Sequence, residues 1–181
     1  MSGKVGIKQP NTEAEMDKDM DKDMDRQVVK FDGRREFEQQ LRLCLARAEH
    51  TLQLFDPDFS LWLLGASDVE AILRTFLVGK GRLQLATHSN AHLERDCPRL
   101  LRLLHDFGHL IECRLTPKHL RQLTDSFCIA DGRHIVRRFH SDHLRGEAAF
   151  DSPVDTELST ERFHAMWAES VPGLHVSTTG L

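Results

Sequence analysis

Between Thr51 and Phe150 the apolar residues change period several times, and the order of those changes restricts the fold more than any other feature. Thr51–Phe55 alternates like a strand. Val69, Ile72, Leu73, Phe76 and Leu77 then recur at helical spacing, and Arg82–Thr87 alternates again. Leu100, Leu101, Leu103, Leu104 and Phe107 give a further helical face, followed by an alternating Ile111–Leu115. Such β/α alternation predicts parallel strands joined by crossover helices. From Ser126 the rhythm shifts. Ser126–Ala130, His134–Phe139 and Arg145–Phe150 follow one another closely, the first two joined by Asp131-Gly132, a hairpin dipeptide. Connections this short require antiparallel pairing. The expected fold is α/β, with a mixed, mostly parallel sheet flanked by helices and the late strands added at one side.

Local signals place the boundaries. Phe37, Leu41, Cys44, Leu45 and Ala48 share one face of a first helix. Asp56-Pro57-Asp58 closes the first strand in a turn. Ser67-Asp68-Val69-Glu70 reads as a capping box, and Gly79 and Gly81 stop the helix behind it. Pro98 predicts a break in the helical stretch from Asn90 to Phe107, and Thr116-Pro117 opens a short helix through Leu123. Leu158, Phe163, Met166 and Trp167 mark a closing helix after Asp151-Ser152-Pro153. The folded part is expected over residues 34–170. Residues 1–33, with a Met-Asp-Lys-Asp repeat from Met16 to Asp25, read as a solvated tail, and residues 171–181 as a frayed one.

Composition narrows the function classes. No apolar run approaches the ~20 residues of a membrane span, and the first 33 residues lack the apolar centre of a secretory signal. A cytoplasmic protein is expected. Cys44, Cys97, Cys113 and Cys128 form no CxxC, which argues against a zinc ribbon or a thioredoxin-type motif; Cys44, Cys113 and Cys128 read as small core residues. A net charge of −4 argues against a chain that coats nucleic acid over its whole surface. Residues 133–145 depart from that balance. Arg133, Arg137, Arg138 and Arg145, with His134, His140 and His143, face a single acid, Asp142.

Three readings of that cluster are open. Arg138, His140 and Arg145, with Arg137, form an anion site for phosphate or carboxylate. Alternatively the hairpin is solvated and its arginines pair with Asp131, Asp142, Glu147 or Asp151. Or the HxxH of His140 and His143 joins Asp56, Asp58 or His88 around a divalent metal. Strand alternation places Arg138 and His140 with His134 and Val136 on one face, and Arg137 with Ile135 and Phe139 on the other. Asp56 and His88 end the first two strands, where ligands gather in open α/β sheets. They predict either an acid–base crevice or a turn cap and a helix cap. No cofactor is expected, and no catalytic or metal-binding residue is assigned.

The stretch from Thr124 to Trp167 resembles the C-terminal half of a phospholipase D-like module. Members carry HxKxxxxD across a strand and its turn, a Gly-Ser-x-Asn-like segment after the next strand, an acidic residue on a third, and then a helix. Setting Asp131 at the motif's Asp puts Thr124 at the His position and Ser126 at the Lys position; Arg138-Phe139-His140-Ser141 stands at the Gly-Ser-x-Asn position. The family's reaction uses the imidazole as nucleophile on phosphorus and the Lys to neutralise phosphate oxygens. The resemblance, with both replaced, implies a pseudoenzyme: a non-catalytic anion-binding or accessory module. Its ligand would be a phosphorylated metabolite or a nucleic-acid backbone, with Asp125 and Asp131 beside the same crevice and no membrane partner. A single half implies a homodimer. Asp125-Ser126-Phe127, Ala130-Asp131-Gly132-Arg133 and Arg138-Phe139-His140 are similar also to an uncharacterised bacterial domain that often follows a GNAT-type acetyltransferase. That similarity implies an accessory domain for an N-acetyltransferase encoded elsewhere. The competing enzymatic reading is a hydrolase with altered chemistry using Asp56, His88 and His140.

Overall fold

The computed structural model describes residues 28–174, so the Met-Asp-Lys-Asp repeat and residues 175–181 lie outside the described residues. The strands are β1 (Val28–Asp32), β2 (Thr51–Phe55), β3 (Arg82–Thr87), β4 (Ile111–Leu115), β5 (Ser126–Ala130), β6 (His134–Arg138), β7 (Arg145–Ala149) and β8 (Val171–Pro172). The helices are α1 (Arg34–Arg47), α2 (Ser67–Val78), α3 (Ala91–Asp96), α4 (Pro98–Asp106) and α5 (Pro153–Glu169), with a short 3-10 turn at Lys118–Leu120. All eight strands form one sheet in the order β1-β7-β6-β5-β2-β3-β4-β8. β2, β3 and β4 run parallel, and β5 pairs antiparallel with β2. β6, β7 and β1 then extend that side in antiparallel steps. Among the described residues no helix is long and apolar enough to cross a membrane.

The sheet divides two cores. On one face Phe37, Leu41, Cys44 and Leu45 of α1 and Val69, Leu73 and Leu77 of α2 pack on Leu52, Leu54, Leu83 and Leu85. On the other, Phe163 and Met166 of α5 cover Phe55, Phe127, Ile129, Ile135 and Ala149. The apolar run Phe59–Leu64 enters the first core, where Phe59, Trp62 and Leu64 are buried. All four cysteines are buried free thiols; burial pushes Cys97 up to about 11 and Cys113 up to about 12, which leaves them unreactive near neutrality.

Four local features differ from the sequence reading. The tail gives up Val28–Asp32 to β1, because Phe31 lies opposite Gly146 of β7 and fills the space that residue leaves. A Cβ at 146 would collide with the Phe31 ring and the Arg137 carbonyl. Val171–Pro172, within the expected C-terminal tail, pairs with β4. The capping box does not form. α2 begins at Ser67 behind Ala66 with no side-chain cap, and Asp68 and Glu70 pair with Arg42 and Arg74. The Thr116-Pro117 helix shortens to the 3-10 turn, with Pro117 preceding it and the Thr116 hydroxyl turned to His88.

Candidate functional site

The carboxyl ends of β2, β3, β4 and β6 meet the amino ends of β5 and β7 at one edge of the sheet. The Arg138–Ser141 segment lies against the start of β5 there, since the Ser141 amide donates to the Thr124 carbonyl. Thr124 is exposed and Ser126 fully buried. In the β5–β6 register Ser126 stands opposite Arg138. That pairing sets the chemistry of the site.

Arg138 does not reach the surface. Its side chain is 1% exposed, packed over the Phe37 ring at 5.1 Å. Nε donates to the Ser126 hydroxyl at 3.0 Å, Nη1 to the Ser141 carbonyl at 2.7 Å, and Nη2 to Asp56 Oδ2 at 2.6 Å. Burial lowers the Arg138 pKa and Asp56 acts against that shift; the guanidinium stays charged. Asp56 is equally buried and saturated. Oδ1 accepts the Asp58 and Phe59 amides at 3.0 and 2.6 Å, and Oδ2 also accepts the Trp62 indole N–H at 2.8 Å. Charge and hydrogen bonds are thus satisfied inside the protein, as a buried pair requires. Arg138 alone departs from the expected anion site: its guanidinium faces the core beside a buried carboxylate, out of reach of a solvent-borne anion.

The other expected residues separate. Arg137 points to the opposite face and donates to Glu147, with Nε at 2.8 Å from Oε1. Arg133 pairs with Asp151 at 2.7 Å. Arg145 is exposed, and His140 lies in the loop after β6 with its ring 5.5 Å from that of His143. His140 Nδ1 accepts the Asp142 amide at 3.2 Å. Asp125 is held by both terminal nitrogens of Arg162 from α5, at 2.8 and 3.0 Å. His88 stands edge-on to Phe55, on the α5 side of the sheet, with Nε2 2.8 Å from the Leu123 carbonyl and Nδ1 2.5 Å from the Thr116 hydroxyl. A carbonyl can only accept, so Nε2 is assigned as the donor to Leu123, and in the neutral ring Nδ1 accepts from Thr116. The structure therefore does not assemble Asp56, His88 and His140 into an acid–base crevice. Asp56 forms a turn with its own backbone on one face, and His88 ties β3 to the segment before β5 on the other. His88 also does not cap α3, which starts behind Asn90. Among the described residues no three His, Cys, Asp or Glu side chains gather to hold a metal ion.

Asp131, the one residue that matches the HxKxxxxD pattern, has a structural task. It sits in the left-handed region (φ 53°) and accepts the amides of Glu49, His50 and Thr51 at 2.7, 2.8 and 2.7 Å. The carboxylate clamps the α1–β2 turn onto the β5–β6 turn. Burial alone would raise its pKa, but the three amides outweigh that and hold it below the ordinary carboxylate value. A depressed folded-state pKa adds stability above about pH 4 that is lost as pH falls through the folded value. Asp131→Ala is expected to cost about 1–3 kcal/mol at pH 7 in urea unfolding. Asp131→Asn should flatten the acid limb of stability against pH. An unchanged acid limb would exclude this role.

The model for "Domain of unknown function (DUF7931)" matches residues 34–176. The chain belongs to this family. No curated protein matches it. Its architecture is similar to that of Nuc from Salmonella typhimurium, a phospholipase D family member, with a TM-score of 0.62 at 13% identity over 83% of this chain and 100% of that one. NucT from Helicobacter pylori superposes at 0.57 and 9% identity over 82% and 100%. TrmBL2, an archaeal chromatin protein whose structure shows a mode of DNA binding, superposes at 0.61 and 13% identity over 88% and 60%. This DUF7931 domain therefore has a phospholipase D-like fold. Sequence reasoning missed the Asp56–Arg138–Ser126 cluster. The signal was present: an Arg on the Val136 face of a strand needs a buried acid, and Asp56 ends the strand beside β5.

Proposed function

We propose that this DUF7931 domain is a phospholipase D-like module that binds a phosphodiester backbone without cleaving it. The observation that carries the reading is the Asp56–Arg138–Ser126 cluster. At the motif's Lys position a buried hydroxyl accepts from a guanidinium whose charge Asp56 cancels. At the His position stands an exposed Thr, whose hydroxyl needs a base before it can attack phosphorus. His88, whose ring touches the Leu123 carbonyl next to Thr124, has both nitrogens engaged. Without an activated nucleophile at Thr124 and a cation at Ser126, the fold keeps a strand-end surface but no reaction centre.

Nucleic acid is the favoured ligand. Arg145, Lys118 and Arg121 are exposed cations on the segments that end at this edge, with the exposed or half-exposed His140 and His143 beside them. The similar fold of TrmBL2, whose structure shows a mode of DNA binding, adds to that support. A homodimer is the assembly proposed for one such half, to be checked by sedimentation. The net charge of −4 confines binding to a local patch, so few phosphates are neutralised. Fluorescence anisotropy with a labelled single-stranded oligonucleotide in EDTA tests this. Contact with three phosphates predicts a loss of about 20-fold in affinity between 50 and 200 mM salt, with the oligonucleotide recovered intact. Absence of binding at 50 mM salt, or a cleaved oligonucleotide, would reject the proposal.

A further inference from the structure

Deepening that reading, we infer that Phe139, Lys30 and Arg145 form a site for single-stranded nucleic acid, with the Phe139 ring as a stacking platform for one base. Phe139 follows β6 and is 51% exposed, in contrast to the buried Phe127 and Ile135 of the neighbouring strand positions. It lines an open cavity of about 510 Å³ together with Lys30 of β1 and Arg145 of β7. That volume accommodates one nucleotide. The Phe139 amide donates to the Arg145 carbonyl at 3.1 Å, which fixes the ring beside that residue's strand.

The charges around the cavity sort themselves by register. Lys30 opposes Glu147 on β7, and Glu147 opposes Arg137 on β6, whose guanidinium it accepts. Glu147 is therefore committed. Asp32 opposes Arg145 and is the remaining acid of the lining. Among the described residues neither Lys30 nor Arg145 is held in an ion pair. Two cations thus face one uncommitted carboxylate around an exposed ring. A ring offers its face to any base, and flanking ammonium and guanidinium groups offer theirs to the adjoining phosphates. Duplex hides its base faces, so the arrangement selects an open strand rather than a double helix. Mononucleotide, DNA and RNA strands share this chemistry, and oligo-dT and oligo-U arms separate the last two.

The test uses the full chain, anisotropy at 50 mM salt, and labelled oligo-dT, oligo-U and a duplex of equal length. Phe139→Ala is expected to weaken single-strand binding about tenfold and duplex binding less than twofold, while Phe139→Trp keeps or strengthens the former. Lys30→Ala and Arg145→Ala should weaken both ligands and flatten the salt dependence. Because Phe139 is half exposed, thermal melting should show its variants folded. Wild-type binding that Phe139→Ala leaves unchanged overturns this site and spares the module reading. Wild-type protein that binds neither strand nor duplex overturns the module reading itself.

Discussion

Asp56→Ala should destabilise the protein by about 3–5 kcal/mol, the cost of leaving a buried charge without its partner. The side chain accepts from Arg138, from the Trp62 indole and from two backbone amides, all in a region with almost no exposure. Its removal strands a guanidinium beside Phe37 and an indole N–H in the core. Domains of this size are stable by about 5–15 kcal/mol, so the variant lies near the edge of folding. A second variant keeps the test decisive. Asp56→Asn combined with Arg138→Met removes both charges while an amide oxygen still accepts from the turn. It should recover at least half of the loss, because an uncharged pair avoids the unpaired buried ion. Urea unfolding measures all three. A loss below 1 kcal/mol for Asp56→Ala, or a double variant as unstable as the single, would contradict a buried, coupled pair.

Ser126→Lys carries the second large effect. It restores the residue type found at this place in the HxKxxxxD pattern, yet it should harm the protein. Ser126 is fully buried and sits opposite Arg138, with its hydroxyl 3.0 Å from Nε. An ammonium there would face a guanidinium with a single carboxylate to share, and Asp56 already has four donors. Like charges without water cost at least about 3 kcal/mol, or force the Lys to lose its proton. Lowered unfolding midpoints in Ser126→Lys, and no phosphodiester turnover from Thr124→His with Ser126→Lys, are the expected results. A Ser126→Lys protein as stable as wild type would show that Arg138 can vacate the site, and the account would lose its main support.

The order of elements was legible because it rests on local period. Alternating strands, helical faces, Pro98 and Asp131-Gly132 each act over a few residues, and the strand and helix boundaries follow them closely. β1 was hidden for the opposite reason. Val28–Asp32 is five residues next to a charged stretch, and only Gly146, far along the chain, makes room for Phe31. The site divides in the same way. Alternation gave the faces of Arg137 and Arg138 correctly, since β6 puts one toward Glu147 and the other toward Ser126. It could not give the partners. Asp56 and Arg138 are 82 residues apart and meet only once β5 sits between their strands. A cationic run open to reading as an anion site or a solvated hairpin holds, at its centre, half of a core ion pair. Asp131 shows the converse: a residue matching a catalytic pattern is explained by three backbone amides.

The most direct measurement is turnover of an activated phosphodiester, such as a bis(nitrophenyl) phosphate, by wild-type protein in EDTA between pH 5 and pH 9. Nitrophenol release is expected at the rate of buffer alone across that range. Release well above it, abolished by Thr124→Ala or Ser126→Ala and retained by Phe139→Ala, would show a working nucleophile where Asp56 and Arg138 are held to leave none.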